Sequence, residues 1–312
     1  MDAITHLGRE SLEQGSRSFA AAARLFPAET RDSASLLYAA CRYFDDVIDG
    51  QDLGFFHDRA VTDSPEQRLR LLEEKTSLAL RGESMEEPVF QAFQRVVQDH
   101  RIPQACVMDF LQGFRMDVQE HTYDTLDDTL QYSYHVAGVV GVMMAMVMGV
   151  RDADILDRAC DLGIAFQLTN ISRDVMDDLE LGRCYLPAEW LDEFGLRHDT
   201  VNDPANRAAV ARVVQRLVQT AEPYYASAIA GLSALPFRSA WAIATARGVY
   251  RDIGTKVSHR GADAWDTRVV TTRKRKLYLT ARGCLRALHA VSIGRLRPLP
   301  SRAGLWTRPR HL

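Results

Sequence analysis

No CxxC pair occurs in this 312-residue chain, and its cysteines, Cys41, Cys106, Cys160, Cys184 and Cys284, are odd in number. That argues against a closed disulfide framework and the usual zinc spacings, and reads as reduced, mostly buried thiols of a cytosolic protein. GxGxxG, the Walker loop and GxSxG are also absent, so dinucleotide, P-loop and serine-hydrolase chemistry lack their signatures. The N-terminal MDAITHLGRESLEQG has no apolar centre of the signal-peptide kind. The most apolar run, Val136 to Val150, falls short of the roughly 20 residues that cross a bilayer, and a buried helix is expected there. From Thr267 onward there is no Asp or Glu at all, against twelve Lys or Arg.

The net charge of −3 is too small for a nucleic-acid surface spread over the whole protein, but its distribution is uneven. The first 266 residues carry 26 Lys or Arg against 41 Asp or Glu. A basic end on an acidic body suits an anionic surface such as membrane headgroups, or simply a solvated tail. Helical period dominates throughout. Helices are expected over 6–26, 31–49, 65–81, 88–99, from 103 through FLQGFRMDV, 127–149, 152–181, 204–231, 237–256 and 273–290, with a short piece after Pro187. No repeat and no long Gly/Ser linker divides the chain. The expectation is one all-α domain over 1–312, with 291–312 a basic, poorly ordered tail.

The stretch FQLTNISRDVMDDLELGRCYLP organises the rest. Asn170, Asp174 and Asp178 are spaced four and four, which on a helix places them on one face, and Gln167 continues the stripe. The opposite side, Ile164, Leu168, Ile171 and Val175, is suited to packing. In LYAACRYFDDVIDG a second stripe appears: Tyr38, Arg42, Asp45 and Asp49. Charged residues at helical spacing are commonly a solvated face. Here no lysine neutralises the acids, and Tyr43, Phe44, Val47, Ile48 and Phe166 surround them. Carboxylates crowded among apolar groups repel each other, and a hard divalent ion relieves that. Mg²⁺ takes one or two carboxylates together with substrate phosphates. Arg42 and Arg173 sit beside the stripes as diphosphate clamps or as structural ion-pair partners. Ser16, Arg17 and Ser18 suit a phosphate or an ordinary helix cap. The small and methionine-rich helix YSYHVAGVVGVMMAMVMG suits either core or the lining of an apolar channel. His135 within it has no partner signature for catalysis and reads as a packed or hydrogen-bonded side chain.

Taken together, GSRSFAAAARLF, LYAACRYFDDVID, GFRMDV, YSYHVAGVVGVMMA, CDLGIAFQLTNISRDVMDD, GRCYLP, AEPYY, RSAWAIATARGVY and LWTRP resemble the head-to-head prenyl synthases of the squalene and phytoene synthase group. The likeness runs over almost the whole chain and is strongest to the bacterial carotenoid-forming branch. It implies a single all-α isoprenoid-synthase fold around a central cavity. It also implies a Mg²⁺-dependent transferase, with Mn²⁺ an acceptable substitute and no nicotinamide.

By motif, Asp45 with Asp49, and Asn170 with Asp174 and Asp178, become the metal ligands. Ser18, Arg42 and Arg173 become diphosphate contacts, and Tyr38, Tyr132, Gln167, Tyr185 and Tyr250 line the site. Arg268 matches a basic position near the C-terminal end, although the VVTTRKRKLYLT that follows departs from the family pattern. The implied reaction joins two geranylgeranyl diphosphates through prephytoene diphosphate to phytoene. The alternative is squalene or dehydrosqualene synthesis from farnesyl diphosphate. Peripheral contact with the inner membrane from the cytoplasm and handover of product to a downstream desaturase are expected. No nucleic-acid partner is expected.

Overall fold

A computed structural model describes residues 3–15, 17–50 and 63–310, with residues 3, 7, 14, 15, 17 and 18 described by backbone alone. Among the described residues there are thirteen α-helices and no strand. They are α1 (Ala3–Gly15), α2 (Arg17–Ala23), α3 (Ala28–Asp49), α4 (Pro65–Leu80), α5 (Pro88–Asp99), α6 (Gln104–Val118) and α7 (Leu126–Ser133). After a π-turn at Tyr134–Gly138 come α8 (Val139–Val147), α9 (Ala153–Glu180), α10 (Ala188–Glu193), α11 (Arg207–Gly231), α12 (Phe237–Arg260) and α13 (Arg273–Ser292). The periodicity of the sequence thus gives the helices nearly where expected; within 6–26, α1 and α2 are described on either side of residue 16.

Local chemistry sets the boundaries. Ser64 and Thr125 open α4 and α7 with reciprocal capping boxes, using Gln67 and Asp128. Gly50 ends α3 in the left-handed conformation at φ 64°. The long helix α9 is the axis of the molecule and packs on α8, α11 and α12, while α3 packs on α1 and α5. Glycine allows the closest approach: a Cβ on Gly163 would stand 2.2 Å from the Ala137 carbonyl oxygen, and one on Gly141 would stand 2.5 Å from that of Ala159. Side chains there would push α8 and the π-turn off α9.

One expectation is met and one needs revision. The buried helix expected over 127–149 forms, because α7, the π-turn and α8 make one helical run, Leu126–Val147, whose most apolar 18-residue window has a mean hydropathy of 1.3. It is nonetheless core: 67% of its most apolar window is buried, and Val139, Val142, Met143 and Met146 are enclosed. The C-terminal segment is not a loose tail. Val291 and Ser292 still belong to α13. Farther on, Arg302 Nη2 lies 2.7 Å from Asp161 Oδ1, and Arg308 Nε lies 2.8 Å from Asp157 Oδ1. Trp306 packs its ring 5.0 Å from that of Tyr134. Asp157 and Asp161 are buried on α9, and carboxylates removed from water require such partners.

Candidate active site

Helices α3 and α9 wall a cavity of about 820 Å³, joined by α2, α6, α8 and α12. That lies in the upper part of the roughly 300–1,000 Å³ of ordinary ligand pockets. Arg42, Asp45, Asp117, Asn170, Arg173 and Arg268 give it a charged part, while Phe26, Met144, Met148, Ala159, Ile243 and Leu235 are among its apolar walls. The two parts are separated along the helices. Ala34 and Asp45 both line the cavity on α3, about 16 Å apart by helical rise.

Of the residues expected from the sequence, Tyr38, Arg42, Asp45, Tyr132, Gln167, Asn170, Arg173, Tyr250 and Arg268 line the cavity. Asp49, Asp174, Asp178 and Tyr185 do not line it themselves. Three of them pair with groups beside or within the lining: Asp49 with Arg183, Asp174 with Arg173 and Arg268, and Tyr185 with Asp117. The Ser18 side chain lies outside the described residues. His135 is hydrogen-bonded as expected, its Nδ1 2.8 Å from the Asp109 carbonyl oxygen.

On the α3 side, Arg42 Nη1 reaches Asp45 Oδ2 at 3.1 Å and Nη2 lies 2.9 Å from Asp46 Oδ1. The Asp45 side chain is 49% accessible and lines the cavity. Burial, then the neighbouring Asp49, push Asp45 up to about 6, against the pull of Arg42 and Arg183. On the α9 side, Arg173 holds Asp174 with both carboxylate oxygens, at 2.8 and 2.5 Å, and Arg268 adds a contact of 3.1 Å. The helix kinks at Asp174, with φ −108° and ψ 15°, so the four-residue stripe is bent between Asp174 and Asp178. Burial and then Asp174 push Asp178 up to about 8.

Sequence reasoning quoted GFRMDV and GRCYLP but assigned no role to Asp117 or Arg183 within them. Both prove central. The chain leaves α9 through a Schellman turn: Gly182 sits at φ 75°, its N–H donates to the Leu179 carbonyl at 3.0 Å, and that of Arg183 donates to the Asp178 carbonyl at 2.9 Å. The turn aims Arg183 back at α3, where its Nη2 meets Asp49 Oδ1 at 2.7 Å. Burial works against the Arg183 charge, and Tyr185, Asp117 and Asp49 more than offset it. Asp117, at the end of α6, accepts from Tyr185 at 2.9 Å and from Tyr132 at 3.1 Å, and these rings stack 4.5 Å apart. Burial pushes Asp117 up to about 6 despite Arg183 and both hydroxyls. Aromatic faces continue along the wall, with Phe166 stacked 4.2 Å from Tyr250.

The donor set fits a hard cation that also binds phosphate. All the acceptors are oxygens, several carboxylates are held near neutrality by burial and by each other, and Asn170 Oδ1 is buried without a hydrogen-bond partner. Among the described residues no three acidic, His or Cys side chains converge on one point. That suits an ion that keeps its waters and bridges a phosphate better than one caged by protein alone.

The squalene/phytoene synthase family model matches residues 12–276. The chain is 56% identical over 301 residues to a 15-cis-phytoene synthase of Pantoea ananas, covering 96% of each. It is 51% identical over 306 residues to the 15-cis-phytoene synthase of Paracoccus sp. (strain N81106 / MBIC 01143), covering 97% of each. A dehydrosqualene synthase solved with a ligand superposes with a TM-score of 0.79 at 28% identity, covering 90% of this chain and 95% of that one. A squalene synthase of Alicyclobacillus acidocaldarius shares the fold, with a TM-score of 0.70 at 24% identity, covering 83% of this chain and 94% of its own. The family model spans most of the chain and relatives more than half identical cover nearly all of it, so the chain belongs to the squalene/phytoene synthase family.

Proposed function

We propose that the protein is a phytoene synthase, a transferase that joins two geranylgeranyl diphosphates head to head and releases their diphosphates. The observation that carries this reading is one cavity with arginines and carboxylates on one part and an apolar wall on the rest. The 51–56% identity to phytoene synthases outweighs the 28% identity to a dehydrosqualene synthase, so the C20 substrate is preferred over farnesyl diphosphate.

Asp45, Asp49, Asn170, Asp174 and Asp178 would hold Mg²⁺, or Mn²⁺ in its place. When bound, the ion would neutralise diphosphate charge and act as a Lewis acid. Arg42, Arg173 and Arg268 take up the negative charge that grows on the leaving diphosphate as the C1–O bond breaks. Ser18 is assigned to the same group by motif. The allylic cation that remains is attacked by the C2–C3 π pair of the second molecule. One proton leaves, and a cyclopropane, prephytoene diphosphate, closes. In the second half the remaining diphosphate departs, the ring opens and rearranges, and a second proton leaves to give phytoene.

Apolar walls exclude the water that would quench either cation, and the faces of Phe166 and Tyr250 can stabilise it. Burial pushes Tyr38 up to about 12 and Tyr132 well above its usual range, so both stay hydroxyls near neutral pH. A tyrosine oxygen or the released diphosphate takes each proton. No hydride is consumed, and no nicotinamide is required.

The product is too apolar to cross water, at about 0.8 kcal/mol per buried CH₂. Peripheral contact with the inner membrane from the cytoplasm, and handover to a downstream desaturase, would give such a product an apolar destination. The test is to supply prephytoene diphosphate and Mg²⁺ alone. Phytoene should form; product that appears only with added NADPH would move the assignment to squalene-type chemistry.

A further inference from the structure

We propose that the outward face of α13 docks the protein onto an anionic lipid bilayer. The inner face of this helix is already satisfied. Leu279, Gly283, Ala287 and Ala290 are buried, and a Cβ on Gly283 would stand 2.7 Å from Thr245 Oγ1 of α12. The opposite face carries a second apolar stripe with no counterpart among the described residues. Leu277 is 73% exposed, Leu285 68% and Leu288 48%, and these positions share one side of a helix. Leu296, 87% exposed, follows in the next turn of chain.

The surroundings of this stripe are cationic. Arg282, Arg286 and Arg297 border a groove of about 390 Å³ floored by Leu285, Leu299 and Ala290. Burial and then the neighbouring cations Arg282 and Arg251 disfavour charge on Arg286, so an incoming anion relieves repulsion there. Arg273 and Lys274 extend the exposed positive edge, and no acid occurs after Asp266. A helix with leucines outward and arginines beside them matches an interfacial helix on anionic headgroups. A second copy docked on the same face would bring two sets of arginines together, which disfavours a dimer there.

The geometry moves the contact away from the extreme C-terminus. Trp306 is packed on Tyr134, and Arg302 and Arg308 are committed to Asp161 and Asp157. Removing 291–312 would therefore disturb the fold rather than test docking.

The inference rests on the polyprenyl reading for its purpose but not for its test. Co-sedimentation is measured without substrate, using vesicles of phosphatidylglycerol or of phosphatidylcholine alone, and turnover is measured separately in detergent. Wild-type protein should bind phosphatidylglycerol vesicles, more weakly as salt rises. Leu285→Glu with Leu288→Glu should lower binding at least about tenfold, and Arg282→Glu with Arg286→Glu should lower it comparably, since each cation contributes about fivefold near such a surface. Both pairs should keep wild-type turnover in detergent. Wild-type protein that fails to bind, a leucine pair that binds normally, or a leucine pair that instead dissolves a dimer would overturn the proposal. Loss of turnover by wild type in detergent would strike the functional reading alone.

Discussion

Arg183 Nη2 donates to Asp49 Oδ1 at 2.7 Å, across 134 residues of sequence. This contact ties the end of α3 to the turn that follows α9, and so fixes how the two acidic motifs face each other. The same guanidinium acts on Asp117 and Asp178. One cation therefore serves carboxylates from three helices.

Arg183→Ala should leave the helical content intact and lower turnover of geranylgeranyl diphosphate about a hundredfold, the scale of losing one preorganised electrostatic group. Arg183→Lys should recover part of it, because the charge remains but the planar fork is lost. Circular dichroism with steady-state turnover reads both. Normal turnover in the alanine variant would contradict the role.

Ala34 lines the cavity on α3, about 16 Å along the helix from Asp45. Ala34→Phe should block the far end and spare the charged part. The ratio of kcat/KM for geranylgeranyl over farnesyl diphosphate should fall at least about tenfold. An unchanged ratio would place the limit on chain length elsewhere.

How much of this was legible in the sequence depends on the kind of signal. Helix positions follow from period and caps, and the stripes around Asp45 and Asn170 lie on two helices that line one cavity, with Asp49, Asp174 and Asp178 beside its lining. Asp117 and Arg183 were missed because neither belongs to a stripe: one ends a helix and the other lies past a Schellman turn, so only the tertiary fold shows what they face. Asp157 and Asp161 teach the converse. They too are spaced four apart on α9, yet they bind Arg308 and Arg302 of the chain's own end. Spacing alone does not distinguish carboxylates kept for a ligand from carboxylates kept for the fold. The order of the last described residues was illegible for the same reason, since Arg302, Arg308 and Arg310 find acidic partners far away in sequence.

Asp178 is pushed up to about 8, and Asp45 and Asp117 to about 6, each first by burial. In the folded protein these groups hold protons that an unfolded chain releases near pH 4. Through these groups, stability of the ligand-free protein should fall as pH rises from about 4 to about 8. Binding of Mg²⁺ with an unreactive geranylgeranyl diphosphate analogue requires the ionised forms. The thermal shift it produces should therefore be larger at about pH 8.5 than at about pH 6. Thermal melts at the two pH values decide, and a larger shift at the lower one would contradict the assignment.

The central claim is that the two aspartate motifs and their arginines ionise geranylgeranyl diphosphate in one cavity and that the product is phytoene. It is tested most directly by product mass after incubating the protein with geranylgeranyl diphosphate and Mg²⁺, without nicotinamide, beside Asp45→Asn and Asp174→Asn. The account predicts phytoene from the unaltered chain and at least about a hundredfold less from either variant, with both variants still folded. A C40 product that requires NADPH, product from farnesyl diphosphate alone, or near-normal turnover in either variant would contradict it.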